Sequence, residues 1–406
     1  MASTSERIPT VAGEFSFTRG GPLFRLERLL GLVPQRDRFP PRLLVSALSL
    51  TWLPLLLLAL PERLYSGEWD PLITRSEVHV RLLGSLAIML FGELVLDERG
   101  RAMTQQLART DVIPKEARFV WQHTLARLAH MRDAWQPEAL LFGFVYVMSV
   151  LSYVGWLPPW ALRWLMPAVH EAGVHWARAT PVLWWYLVVS QPLFIFVFLR
   201  WITRWLLLAR LLWCLARLHP RVHASHADRA GGLAYLALPL FALRFFVAAS
   251  ALALSSVWLD EIARSQAKSS IFAADLLWFL VASLAMFVLP YLPFSRLLLR
   301  ARLQTLLAYS ELMDEYVASF DKRWLHARGH TPSGRELLGH PDFSGLADLG
   351  ASFRVAEEMR SSIPSFADLK VHGLASLVPF LVLLPAHATS AADFVERLVM
   401  KLLGGA

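Results

Sequence analysis

The chain has 406 residues, a formal net charge of +8 and a mean hydropathy of +0.43, with 55% hydrophobic residues. That apolar content is more than a soluble protein can hide, and its gathering into long runs marks a chain that uses a bilayer as solvent. The basic residues sit between the runs rather than along one polar face, which argues against nucleic acid as a partner. One cysteine, Cys214, excludes a disulfide framework and a thiolate metal cluster.

The first 21 residues, MASTSERIPTVAGEFSFTRGG, have no early apolar core before a small-residue cleavage site, so no removable signal peptide is expected. Seven apolar runs then follow that reach, or nearly reach, the length needed to cross a hydrocarbon core of about 30 Å. They cover residues 43–60, 80–96, 139–157, 181–199, 233–258, 271–294 and 371–386. Lys plus Arg in the eight connecting segments number 7, 2, 7, 2, 6, 2, 10 and 2, leaving only Arg81 and Arg244 inside runs. By the positive-inside rule this alternation places the N-terminus in the cytoplasm, uses all seven runs as spans and leaves the tail outside. Trp156, Trp160, Trp164, Trp184, Trp185 and Trp258 fall at the expected outer interface, where an aromatic belt belongs. The expected fold class is all-α, a polytopic integral protein of a cell membrane such as a bacterial inner membrane, with the lipid bilayer as its first partner.

The regions divide accordingly. Residues 1–42 form a cytoplasmic N-terminal segment, and 43–294 a six-span bundle with inner loops 97–137 and 200–232. Residues 295–370 form a cytoplasmic helical region, 371–386 the last span, and 387–406 an extracytoplasmic tail. Loop 97–137 reads as mainly helical. Nothing breaks the helix from 181 to 218, roughly 57 Å at 1.5 Å per residue, so it runs past the membrane. Arg200, Arg204, Arg210 and Arg217 there are placed to anchor on anionic lipid. The sixth span also continues, kinked at LPYLPF by Pro290 and Pro293. Beyond the kink, Leu306, Tyr309, Met313, Tyr316, Phe320 and Trp324 recur at steps of three and four, opposite Glu311, Asp314, Glu315 and Asp321. Such an amphipathic helix needs a partner, and LADLGASFRVAEEMRS after the turn GHPDFSG is the candidate.

Several residues are candidates for chemistry. His219, His223, His226 and Asp228 would share a face of a continuous helix and could ligate zinc. Against this, Pro220 should end the helix. Without metal, the stretch reads as a loop and helix start, with Ser225 and Asp228 spaced as a capping box and Gly231–Gly232 allowing close approach to a neighbour. His326, His330 and His340 with Asp342 form a second set, read either as a pH- or cation-sensing cluster or as a turn-rich segment. Ionisable groups within spans usually face a cavity or a partner because burial is costly. Arg244 lies near mid-membrane, Glu93 one turn from the inner end of the second span, Arg81 near its outer end, and Asp275 one turn into the sixth. Depth permits Arg244 with Glu93 and Arg81 with Asp275. No catalytic constellation can be assembled, and an enzyme is not expected.

The last run, VHGLASLVPFLVLLPAHATS, is short and interrupted by proline. Irregular backbone at membrane depth is tolerated where protein or water surrounds it. It reads either as a pore-lining segment, with His372, Leu374, Ser376, Pro379 and Leu383 as candidates, or as a final span packed on its own bundle. The length, seven spans, inside N-terminus, extended fourth and sixth spans and short final helix together resemble the insect odorant and gustatory receptor-like channels. The aromatic signature of that family is absent from the last span. The resemblance implies a homotetramer in which residues 295–330 and 344–362 form a central anchor and 371–386 lines the pore. The expected function is thus a homo-oligomeric ion channel. The alternatives are a small-solute secondary transporter with Arg244 facing an anionic substrate, and a membrane-bound scaffold or enzyme with a cytoplasmic metal-binding turn.

Overall fold

A computed structural model describes residues 15–32, 41–67, 69–154, 156, 180–265, 272–326 and 340–383. The described residues are helical and turn, without a strand. The helices are α1 (Gly21–Leu29), α2 (Pro41–Thr51), α3 (Leu53–Ser66), α4 (Leu86–Arg109), α5 (Arg118–Asp133) and α6 (Trp135–Val154). Then come α7 (Gln191–Arg217), α8 (Leu240–Ser265), α9 (Ala273–Val288), α10 (Leu292–Phe320), α11 (Pro341–Glu357) and α12 (Phe366–Leu377).

Among the described residues, six helices are long and apolar enough to cross a membrane. They cover Arg42–Ser66, Ser76–Arg109, Lys115–Leu151, Pro181–Arg217, Ala234–Ile262 and Ala273–Leu325. Their outward faces carry exposed Leu57, Phe142, Val147, Leu277 and Trp278, an apolar girdle that suits lipid rather than water. The seventh run is different. It forms the 12-residue α12, continued by a 3₁₀ turn over Val378–Leu383.

The expected extensions are present. The fourth apolar helix covers 37 residues, about 55 Å, and absorbs a π-turn at Tyr186–Ser190 and Pro192 near the start of α7. The kink in the sixth is a 3₁₀ turn at Leu289–Tyr291 that joins α9 to α10. Loop 97–137 is mainly helical, because α4 runs to Arg109 and α5 begins at Arg118.

The core is built where α4, α7 and α8 converge. Gly92 on α4 makes this possible: a Cβ there would meet Phe245 Cβ at 2.8 Å and the Trp201 ring at 2.9 Å. Trp201 is 1% exposed, stacks on Phe246 at 5.3 Å and donates its indole N–H to the Met89 carbonyl. The predicted amphipathic face of α10 also finds its partner. Phe320 and Trp324 pack on Phe343 of α11, and the Tyr316 hydroxyl donates to the Asp342 carbonyl.

The tryptophan belt needs one correction. Trp156 and Trp184 are exposed, but Trp258 is 4% exposed and stacks on Phe272 with Phe380 beside it. It is core because the last helix covers it. Trp160 and Trp164 lie outside the described residues.

Candidate functional site

Among the described residues, polar groups within the bundle gather in clusters built from residues far apart in sequence. The first is at the end where α7 leaves the apolar core. Glu93 of α4 is 5% exposed and receives Arg200 twice, Nη2 to Oε2 at 2.5 Å and Nε to Oε1 at 3.2 Å. Arg204, one turn further along α7, reaches Glu93 Oε1 at 2.5 Å. Arg200 Nη1 also meets Glu27 Oε1 of α1 at 3.3 Å. Burial pushes the Glu27 carboxyl above its ordinary value, with Arg200 opposing. Beside this cluster Asp97, 6% exposed, accepts from Arg19 at 2.8 Å and Arg101 at 3.0 Å, and from the Ser16 hydroxyl. Arg200 and Arg204 are therefore not lipid anchors. They are inside the protein, and of the four arginines only Arg210 and Arg217 are exposed.

The expected pairings within the membrane are both replaced. Arg244 does not meet Glu93. Its Nη2 donates to Asp368 Oδ1 at 2.6 Å, at the start of α12. Asp368 in turn closes a capping box with Ser365. Sequence reasoning missed this carboxylate because it lies outside any apolar run, although Ser365 followed three residues later by Asp368 is a helix-start signature. Arg81 does not meet Asp275. It is 5% exposed beside Tyr186, with Glu77 and Arg75 near, and its guanidinium lies over the Phe194 ring at 5.5 Å. Asp275 is half-buried in the first turn of α9, with no hydrogen bond recorded to another described residue.

Arg81 also lines a cavity within the bundle, of about 200 Å³. Phe144, Met148, Phe194, Phe198, Leu254 and Phe279 supply the apolar wall, and Ser250 a hydroxyl. The wall is apolar apart from Arg81, which also bonds Tyr186, and the Ser250 hydroxyl.

The last helix docks by one face. His372, Ser376 and Phe380 recur every fourth residue, and each is 3% exposed or less. His372 Nε2 sits 3.1 Å from the Ser283 carbonyl, and its ring stacks on Phe287 at 4.2 Å. Ser376 donates to the His372 carbonyl and lies 3.4 Å from the Ser283 hydroxyl. Val371, Leu374, Val378 and Leu381 are exposed on the other side. The five pore candidates thus divide. His372 and Ser376 face the bundle, Leu374 faces out and Pro379 is half-buried. Leu383 ends the described turn, and residues 384–386 lie outside the described residues.

The histidine turn is a structural device, not a ligand set. Pro220 ends the helix, and His219 takes a positive φ of 49°. Asp228 is not a capping-box residue either. Its carboxylate accepts backbone N–H groups of Ala230 at 2.9 Å, Gly232 at 3.0 Å and Ala234 at 3.0 Å. His226 Nδ1 lies 2.9 Å from Asp228 Oδ1. Burial alone would raise the Asp228 pKa, but the backbone donors, Ala234 first, hold it below the ordinary value. Gly231 (φ +67°) and Gly232 (φ +86°) turn the chain left-handed, and a Cβ at Gly231 would strike Val222. Among the described residues no three His, Cys, Asp or Glu side chains are arranged to hold a metal. In the second set, His340 caps the start of α11, and Asp342 takes Trp324 Nε1 at 2.9 Å and Arg323 at 3.1 Å. His326 is exposed at the end of the helix, and His330 lies outside the described residues.

The fold is that of a multi-pass, all-helical membrane protein. No protein-family description matches the sequence, and no curated protein or solved structure shows a significant likeness to it.

Proposed function

We propose that the chain assembles as a homo-oligomeric ion channel in a cell membrane, with the last helix as the seventh, pore-lining segment. The carrying observation is the two-sidedness of that helix. One face is anchored by His372, Ser376 and Phe380, and the other leaves Val371, Leu374, Val378 and Leu381 without cover. A pore lined by this apolar face would gate by dewetting at a hydrophobic constriction. Exposed Leu299, Leu303 and Leu307 recur every fourth residue on α10, beyond the end of the sixth apolar run. On the positive-inside reading this stripe is in the cytoplasm, where a second copy would bury it.

The pore face is therefore 371, 374, 378 and 381 rather than 372 and 376. Cysteines placed singly at these six positions in a Cys214→Ser background separate the two faces. The expected result is rapid modification by a charged aqueous reagent at Leu374, Val378 and Leu381, with His372 and Ser376 protected. Protection of all six positions, or particle images showing a single copy without an axial pore, would remove the assignment.

A small-solute carrier is the second reading, favoured by the 200 Å³ cavity with Arg81 at its corner. Arg244 no longer supports it, since Asp368 already neutralises that guanidinium. Saturable uptake into liposomes without unitary currents would mark the carrier.

A further inference from the structure

A second cavity, of about 60 Å³, opens among α1, the α5–α6 junction and α7. It is separate from the last helix and from the larger chamber. Its wall includes Arg132, Arg200, Arg204, Thr203 and a single carboxylate, Glu138. Glu138 is already committed: Oε2 accepts the Leu23 backbone N–H at 3.0 Å and so caps α1. Glu93, Glu27 and Asp133 pair with these arginines, and Asp97 beside them pairs with Arg19 and Arg101; none of the four lines the cavity. Three arginines and one occupied carboxylate thus belong to its wall; Arg132 is already paired with Asp133 and the Ser16 carbonyl, and Arg200 with Glu93 and Glu27.

Arg204 is the telling residue. It is 5% exposed, yet its recorded partner is Glu93 Oε1, an oxygen already taken by Arg200 Nε. Its Nη1 makes that contact without a well-directed hydrogen bond to any described residue. A guanidinium has five N–H donors, and a buried donor without an acceptor is costly. Arg204 is one of the residues that line the cavity. A cavity of this size has room for about four water-sized groups, which is the number of oxygens on a phosphate.

We propose that this cavity binds a phosphate group through Arg204, with Arg200, Arg132 and the Thr203 hydroxyl as its neighbours. A phospholipid headgroup and free phosphate share this chemistry. The positive-inside reading puts the cavity at the inner leaflet, where basic pockets between helices take anionic headgroups.

The test uses the full-length protein in two arms. In the first, protein from nanodiscs of equal phosphatidylglycerol and phosphatidylcholine is released in a mass spectrometer and its retained lipid counted. In the second, delipidated protein in neutral detergent is titrated with inorganic phosphate and followed by thermal shift. The expected result is a one-to-one phosphatidylglycerol adduct, a saturable phosphate shift, or both. Arg204→Gln should weaken the positive arm about tenfold or more, and Arg204→Lys should keep most of it. Binding in the first arm alone identifies the lipid as the source, and in the second alone the free ion. If Arg204→Gln fails to fold, Thr203→Val and Arg132→Gln should each weaken the same arm. Silence in both arms, or binding indifferent to these substitutions, would show that the cavity holds water only.

Discussion

Glu93 and Asp228 are both carboxylates in demanding surroundings, and the chain satisfies them in opposite ways. Glu93 is neutralised by side chains from another helix, Arg200 and Arg204, more than a hundred residues away. Asp228 is satisfied by the backbone of the next six residues, through the N–H groups of Ala230, Gly232 and Ala234. The first arrangement exists only when α4, α1 and α7 are assembled. The second is local and would persist in a much looser bundle. A buried charge without its partner costs far more than a turn that water can solvate. The two sites should therefore fail very differently.

The largest expected effect is at Glu93. Glu93→Gln leaves Arg200 and Arg204 buried with Glu27 as their only acid, and should cost about 3–5 kcal/mol. Detergent-solubilised protein should show a large drop in melting temperature or fail to accumulate. Replacing Glu93, Arg200 and Arg204 together with apolar residues of similar volume should cost less than Glu93→Gln alone. If the triple variant proves worse, the cluster does more than satisfy itself.

Arg244→Gln comes next. It leaves Asp368 its Ser365 partner but removes the tie to α8, a loss of about 2–3 kcal/mol for a charged hydrogen bond. Hydrogen exchange should rise over 366–372 and stay unchanged at Trp201. Exchange rising equally at both places would show that the last helix is part of the core rather than docked onto it.

The smallest effect belongs to Asp228→Ala, about 1–2 kcal/mol because water replaces the lost acceptor at a partly exposed turn. Its pH dependence sharpens the contrast. A carboxylate whose folded pKa is depressed stabilises the fold above its unfolded value and loses that contribution as pH falls through the folded one. Protection of the Ala230–Ala234 amides should therefore hold at neutral pH and fall only below the ordinary value of 3.8. Loss of protection well above that value would mean that the Asp228 carboxylate does not carry the turn.

Much of the architecture was legible in the sequence. Apolar run length set six of the spans, and uninterrupted helix formers set the projection of the fourth and sixth. The three- and four-residue steps of Tyr309 to Trp324 called for a helical partner, which α11 supplies. Membrane helices are readable because each backbone must satisfy itself locally. The polar interior was read far less well. Arg244, Arg81 and Glu93 were recognisable as groups needing partners, but depth along a span cannot tell which helix lies beside which. Arg200 and Arg204 looked like lipid anchors because nothing in a one-dimensional reading shows α1 folding back to place Glu27 against them. The zinc reading of His219, His223, His226 and Asp228 failed for a related reason. It counted side-chain spacing and overlooked the backbone N–H groups that take up the carboxylate.

The sequence by itself determined an all-helical chain of membrane-crossing length, the alternation of its charges and the ends of its helices. Each follows from local rules: hydropathy over a window, proline and glycine at breaks, an acid at a helix start. Tertiary structure alone decided who pairs with whom and which face of the last helix is bare. Those outcomes depend on contacts between residues roughly eighty or more positions apart, whose energies no local pattern encodes.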